Sequence, residues 1–347
     1  QRLNVPNEVS KEPPRAQLEP LINLCQQGQF QQVLDSAKHL LSQFPNSLAL
    51  YNIQGVANAG LGHFDGAIDS YSRALKIKPD YFEAYNNMGL TLNDKGDVET
   101  AINSFKQAIK IKPDYAEAYN NMGVSLKDKG DLEAAINSFK LALKIKPDYA
   151  EAYNNMGIIL QDKGNLEAAI GSFKQALKIR LDYAEAYYNM GIVLQDKGNL
   201  EAAIGSFKQA LKIRPDYAEA YNNMGIALRN KNDLFAAINS YKQAIKIKPD
   251  YAEAYNNMNN ALKGIVFSKP NPGLMEIIVS LLDQRTSCRP YGIAPAAINL
   301  LKLEPTLKEL LEKNSLGALR QSLQETISTL AELPLLLKLM NVCPIAD

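Results

Sequence analysis

The stretch PDYAEAYNNMGVSLKDKGDLEAAINSFKLALKIK, residues 113–146, decides the reading of the whole chain, because near-copies of it flank it on both sides. Within it, Ala118, Tyr119, Met122, Gly123 and Leu126 recur at helical spacing, and Leu132, Ala135, Ile136, Phe139, Ala142 and Leu143 do so again. Between the two sets, Gly130 suits the left-handed end of one helix and Asp131 suits the N-cap of the next. The unit is therefore a helical hairpin. Gly123 and Ala135 are small where its two helices should touch, and the Pro-Asp step at 147 and 148 separates it from the next hairpin.

Working outward, units of the same 34 residues start at Pro45, Pro79, Pro147, Leu181, Pro215 and Pro249, and those at 147–180 and 181–214 differ at only three positions. A divergent copy occupies 11–44 and keeps Gly28, with Pro45 following. A hairpin of this size cannot bury its apolar face alone, so a fixed period means that each hairpin stacks on the next. The expected fold is all-α: a tail at 1–10, a divergent capping repeat at 11–44, an array at 45–262, and a helical C-terminal region at 268–347. In the last region, helices are expected at 273–285, 293–303, 305–314, 316–330 and 333–342.

Composition narrows the function. The chain has 347 residues, 46% hydrophobic and 22% charged, with a formal charge of +1, so nothing drives it as a whole toward nucleic acid or an anionic membrane. Three cysteines, Cys25, Cys288 and Cys343, are odd in number and far apart, which suits packed thiols in a reducing, cytoplasmic setting. The polar N-terminus lacks the apolar core of a signal peptide, and LPLLLKLMNV is too short to span a bilayer. The chain begins with Gln and stops at PIAD, which suggests a piece of a longer protein.

The pattern Tyr119, Met122, Gly123, Leu126, Ala135, Phe139, Ala142 and Pro147 resembles the tetratricopeptide repeat, with Tyr for its usual Trp, Met for Leu and Leu for Tyr. The resemblance covers about residues 11–262. It implies a right-handed superhelix whose first helices line a concave groove for an extended peptide.

Counting Ala116 as position 1 of the first helix, positions 2, 5, 6, 9, 12 and 13 share a face opposite Tyr119, Met122 and Leu126. Position 2 holds Glu83, Glu117, Glu151, Glu185, Glu219 and Glu253. Position 6 holds Asn87, Asn121, Asn155, Asn189, Asn223 and Asn257, and position 5 holds Asn86, Asn120, Asn154, Tyr188, Asn222 and Asn256. All of these are expected on the groove rather than in the core. A primary amide offers donors and an acceptor, the complement of a peptide backbone, so such a row can hold an extended chain without reading its side chains. The position 6 row is similar to the asparagine ladder of O-linked N-acetylglucosamine transferases. The alternative is that the amides bond across to the neighbouring hairpin. Asn is a weak helix former, costing up to about 0.7 kcal/mol relative to Ala, so replacing Asn121, Asn155, Asn189 and Asn223 together by Ala is expected to raise stability and to weaken peptide binding. Tyr188, the one aromatic of the position 5 row, is expected on the groove face, where it is either a drifted residue or the one that selects the ligand.

Position 9 is aliphatic in Leu90, Val124, Ile158, Ile192 and Ile226, which suits either a partner or the adjacent hairpin. The glutamates predict an acidic groove, and repeated lysines such as Lys140 and Lys144 a basic outside. Glu and Asn at positions 2, 5 and 6 are the wrong residues for the family's carboxylate clamp.

No catalytic constellation, cofactor or metal set emerges. His39 and His63 have no second ligand at a metal-binding spacing, and GLGHFDG at 60–66 occupies a hairpin turn rather than a strand-to-helix phosphate loop. The region from KPNPGLMEIIVSLLDQ onward resembles the segment that joins repeats to the catalytic domain in bacterial tetratricopeptide methyltransferases. The expectation is a non-enzymatic, peptide-binding or protein-binding module, the recognition arm of a larger protein. The alternatives are the non-catalytic part of a modifying enzyme, methyltransferase ahead of glycosyltransferase, and a scaffold that self-associates through its repeats.

Overall fold

The computed structural model describes residues 12–263 without a break, and beyond them 275, 278–279, 297–305, 308 and 333–335. The chain forms two compact units, residues 1–180 and 181–347. The first unit stacks five hairpins: α1 Arg15–Gln26 with α2 Phe30–Gln43, α3 Leu48–Gly60 with α4 Phe64–Ile77, α5 Phe82–Lys95 with α6 Val98–Ile111, α7 Ala116–Asp128 with α8 Leu132–Ile145, and α9 Ala150–Asp162 with α10 Leu166–Ile179. The second unit contains α11 Ala184–Asp196 with α12 Leu200–Ile213, α13 Ala218–Asn230 with α14 Leu234–Ile247, and then α15 Ala252–Lys263. The divergent copy at 11–44 is thus a true hairpin. Among the described residues there is no strand.

The hairpin turn follows from two residues. Gly130 adopts φ +88°, and in the repeat that starts at Pro215 its place is taken by Asn232 at φ +67°, Asn being the side chain that best tolerates the left-handed region. Immediately after the turn, the Asp131 carboxylate accepts the Ala134 amide N–H at 3.1 Å, and Asp97, Asn165, Asn199 and Asp233 cap their helices in the same way.

In the hairpins from α3–α4 to α13–α14 an aromatic of the second helix lies against a glycine of the first, whereas α1–α2 has Leu21 and Ala37 at these places. Phe105, Phe139, Phe173 and Phe207 are fully buried, and a Cβ placed on Gly123 would stand 2.7 Å from the Phe139 ring. That spacing requires glycine, because real Cβ contacts are longer, and it sets how closely the two helices approach. The repeated methionines lie on this packed side, from half-buried Met88 and Met122 to buried Met224 and Met258.

In the second unit the apolar face of α15 does not end in solvent. Tyr255, Met258, Ala261 and Leu262 form one buried cluster with Ile278, Ala297, Leu300, Leu301 and Leu335. Residues after the last repeat helix therefore cover the face that a further hairpin would otherwise cover. Of the five helices expected after residue 268, only residues 297–301 are described at length, and they are helical. Cys288, Cys343 and the proposed link to a further domain lie outside the described residues.

Candidate peptide-binding face

The first helices of successive hairpins touch one another: α3 with α5, α5 with α7 and α7 with α9 in the first unit, and α11 with α13 and α13 with α15 in the second. This contact changes what a single-helix projection implies. Position 5 turns toward the neighbouring first helix rather than into open space, and Asn86, Asn120, Asn154 and Asn222 are buried, Asn222 completely. Their expected exposure on the groove is corrected. Asn256, in the last repeat helix, is exposed.

Position 6 is half-buried throughout, from Asn87 to Asn257, with Asn189 among them. Its side chains are the rungs between hairpins. In the first unit Asn87 Nδ2 donates to Asn52 Oδ1 at 2.9 Å, Asn121 to Asn86 at 3.0 Å, and Asn155 to Asn120 at 3.1 Å. In the second, Asn257 donates to Asn222 at 3.0 Å. Each rung joins position 6 of one hairpin to position 5 of the hairpin before it. A buried amide oxygen left without a donor costs about 1–3 kcal/mol, more than the few tenths that Ala would gain in the helix. The expectation that Ala at position 6 raises stability is therefore reversed. Asn52 also belongs to the ladder, and it is legible in the sequence only by carrying the register back one period.

Tyr188 fits the same ladder. Its hydroxyl accepts from Asn223 Nδ2 at 3.0 Å, and its half-buried ring lies 4.8 Å from Tyr217 and 6.1 Å from Phe207, centroid to centroid. It does not protrude as an isolated groove tyrosine; it replaces a position 5 amide with a phenol. Burial raises the pKa of that phenol, helped by the charges of Glu219 and Glu253 and opposed by the hydrogen bond from Asn223.

The acidity of the face is also corrected. Glu117 pairs with Lys146 at 3.4 Å, Glu151 with Arg180 at 2.7 Å, and Glu185 with Arg214 at 2.9 Å. The basic partner is the last residue before the next repeat begins, a signal present in the sequence at Lys146, Arg180 and Arg214 but invisible to a count along one helix. Glu83 and Glu219 have no such partner, because Lys112 sits over the Phe82 ring at 4.7 Å and Lys248 over the Tyr251 ring at 5.1 Å instead.

The position 9 aliphatics are packed more than free. Val124, Ile192 and Ile226 are half-buried against hairpin cores, Ile158 is half-buried, and Leu90 remains 42% exposed. What the face presents is thus a band of half-buried amides flanked by glutamates, of which Glu117, Glu151 and Glu185 are ion-paired, and a row of partly exposed aliphatic side chains. Among the described residues no group of His, Cys, Asp and Glu could hold a metal ion, and no helix is long and apolar enough to cross a membrane.

Two family models, described as "TPR repeat" and "Tetratricopeptide repeat", match residues 60–96, 89–130 and 125–164, and residues 148–216 and 182–250, together more than half of the chain. No curated protein matches it by sequence. Among solved structures, a chain of the APC/C hetero-tetramer Cut9–Hcn1 superposes with a TM-score of 0.60 at 17% identity, over 74% of this chain and 50% of that one. The present chain thus spans half of that neighbour's length, and the likeness is one of fold. YrrB, a TPR protein with an unusual peptide-binding site, has a TM-score of 0.45 at 22% identity over 55% of this chain and 98% of its own. MamA has a TM-score of 0.43 at 30% identity over 48% and 96%. The chain belongs to the tetratricopeptide-repeat proteins, whose stacked hairpins form protein-interaction modules.

Proposed function

We propose that this chain holds an extended segment of a partner protein along the first helices of its hairpins. The observation that supports this reading is the half-buried amide row. Asn121, Asn155 and Asn257 each give one N–H to a rung and keep a second for a peptide carbonyl, at an interval set by the repeat. The aliphatic row at position 9, most exposed at Leu90, offers the apolar contact that a backbone ladder alone lacks. The role remains recognition without catalysis, whether the chain acts alone or as the arm of a methyltransferase or glycosyltransferase.

The test is a selection from a random peptide library on the whole chain. Affinities of the selected peptides are then compared for wild type, for Leu90→Lys with Ile158→Lys on the inner face, and for Lys140→Glu with Lys174→Glu on the second helices. Loss of binding only in the first pair supports the reading. Selected peptides indifferent to the first pair would refute it.

A further inference from the structure

The rung between Asn223 and Tyr188 has hydrogen-bonding capacity that is not used up. In the first unit the position 5 amide also donates within its own helix, Asn86 Nδ2 to Asn87 Oδ1 and Asn120 Nδ2 to Asn121 Oδ1, both at 3.4 Å. Those position 6 carbonyls are therefore occupied. In the second unit, Asn222 instead turns its N–H to Glu253 Oε1 at 3.2 Å, so Asn223 Oδ1 receives no donor. Its rung partner Tyr188 uses its oxygen as acceptor and keeps its O–H. A free carbonyl and a free hydroxyl thus lie side by side, their rung being 3.0 Å long. One turn before Asn223 on the same face of α13 stands Glu219, half-buried, while its counterparts Glu117, Glu151 and Glu185 are all ion-paired. The cation in the register that pairs those three, Lys248, lies over the Tyr251 ring at 5.1 Å instead, and Arg214 is held by Glu185 and by the Tyr217 ring, 3.5 Å from its centroid.

The geometry points to a single anchoring subsite for one lysine or arginine residue of the bound segment, in which Glu219 takes the cation, the Tyr188 hydroxyl donates to the peptide carbonyl, and Asn223 Oδ1 accepts the peptide N–H. This rests on the peptide-binding reading above and adds a register and a charge to it. One turn further along, Ile192 and Ile226 present half-buried aliphatic surface on which a neighbouring ligand side chain rests. Elsewhere the ladder holds any backbone. Here it selects.

The probes are two blocked nonapeptides, acetyl-STAVKVATS-amide and the same peptide with norleucine in place of lysine, titrated into the full chain by calorimetry. The lysine probe should bind ~3- to 5-fold more tightly, the range of a partly exposed ion pair, and the preference should shrink as salt rises. Glu219→Gln should erase the preference, Glu83→Gln should leave it intact, and Tyr188→Phe should weaken both probes alike. A preference that survives Glu219→Gln, or is never present, overturns the subsite while leaving the groove standing. The subsite is likewise overturned if neither probe binds although library-selected peptides do. If no peptide of either kind binds, the groove reading falls and takes the subsite with it.

Discussion

In the first unit each described rung is an amide giving its hydrogen to another amide, as from Asn121 to Asn86 or Asn155 to Asn120; in the second, one rung is an amide giving it to a phenol, from Asn223 to Tyr188. The two kinds have nearly equal length, 2.9–3.1 Å, although the side chains differ greatly in size. What the stack demands at position 5 is a hydrogen-bond acceptor at a fixed place, and it accepts a ring where the surrounding aromatics, Tyr217 and Phe207, can pack against it. The duplicated sequence thus contains a constraint that is chemical rather than a matter of residue identity. Where the acceptor changes, the spare hydrogen-bonding groups change with it.

The strongest way to break the comparison is to damage one unit alone. Met258→Asp puts a charge into the cluster that closes the second unit, where Met258 is 2% exposed, and an unpaired buried charge costs ~4 kcal/mol or more. Hydrogen exchange should then lose protection in residues 181–263 and keep it in 12–180. Concerted loss over both ranges would mean that the two units do not act separately.

A smaller effect is expected at a feature the units share. Gly123→Ala would set a methyl 2.7 Å from Phe139 in the first unit, and Gly225→Ala would crowd Tyr241 in the second. Both should lose about 1–3 kcal/mol in denaturant melts. A neutral result at either site would show that its ring can move aside.

The rungs themselves come next. Asn120→Ala removes the acceptor of Asn155, and Tyr188→Phe removes that of Asn223 while keeping the ring; each should cost about 1–2 kcal/mol. Stability that rises in Asn120→Ala would restore the helix-propensity argument over the rung. Tyr188→Asn sharpens the point, since a restored amide rung must offset the lost packing of the ring.

The smallest difference between units is expected at high pH. Burial, with nearby carboxylates, pushes Tyr81 and Tyr115 in the first unit, and Tyr217 and Tyr251 in the second, up to about 12 from an ordinary value of 10. The folded state therefore holds these protons more tightly than the unfolded chain. The resulting stability is fully present below pH 10 and is lost as pH rises through about 12. Both units should weaken together over that window in urea titrations, followed by tyrosinate absorbance; a midpoint for tyrosine ionisation near the ordinary value would contradict the burial.

The period, the hairpins, their turns and their caps were all legible in the residues, because each depends on contacts within one 34-residue unit: Gly130 at its turn, Asp131 at its cap, Gly123 beneath Phe139. A helix projection also ranked Met122 and Tyr119 correctly as packed. The same projection placed Asn86, Asn120, Asn154 and Asn222 in the groove, and there it failed, because the surface that buries them belongs to another hairpin. Nor could it show that Glu117, Glu151 and Glu185 are neutralised by residues 29 positions later in the chain. The sequence alone determined what repeats, since periodicity and local propensity are properties of one strand of chain. Only the tertiary structure decided which polar groups are spent between neighbours and which remain, as at Tyr188, Asn223 and Glu219, because hydrogen bonds and ion pairs are satisfied in space by whichever helix the stacking brings within about 3 Å.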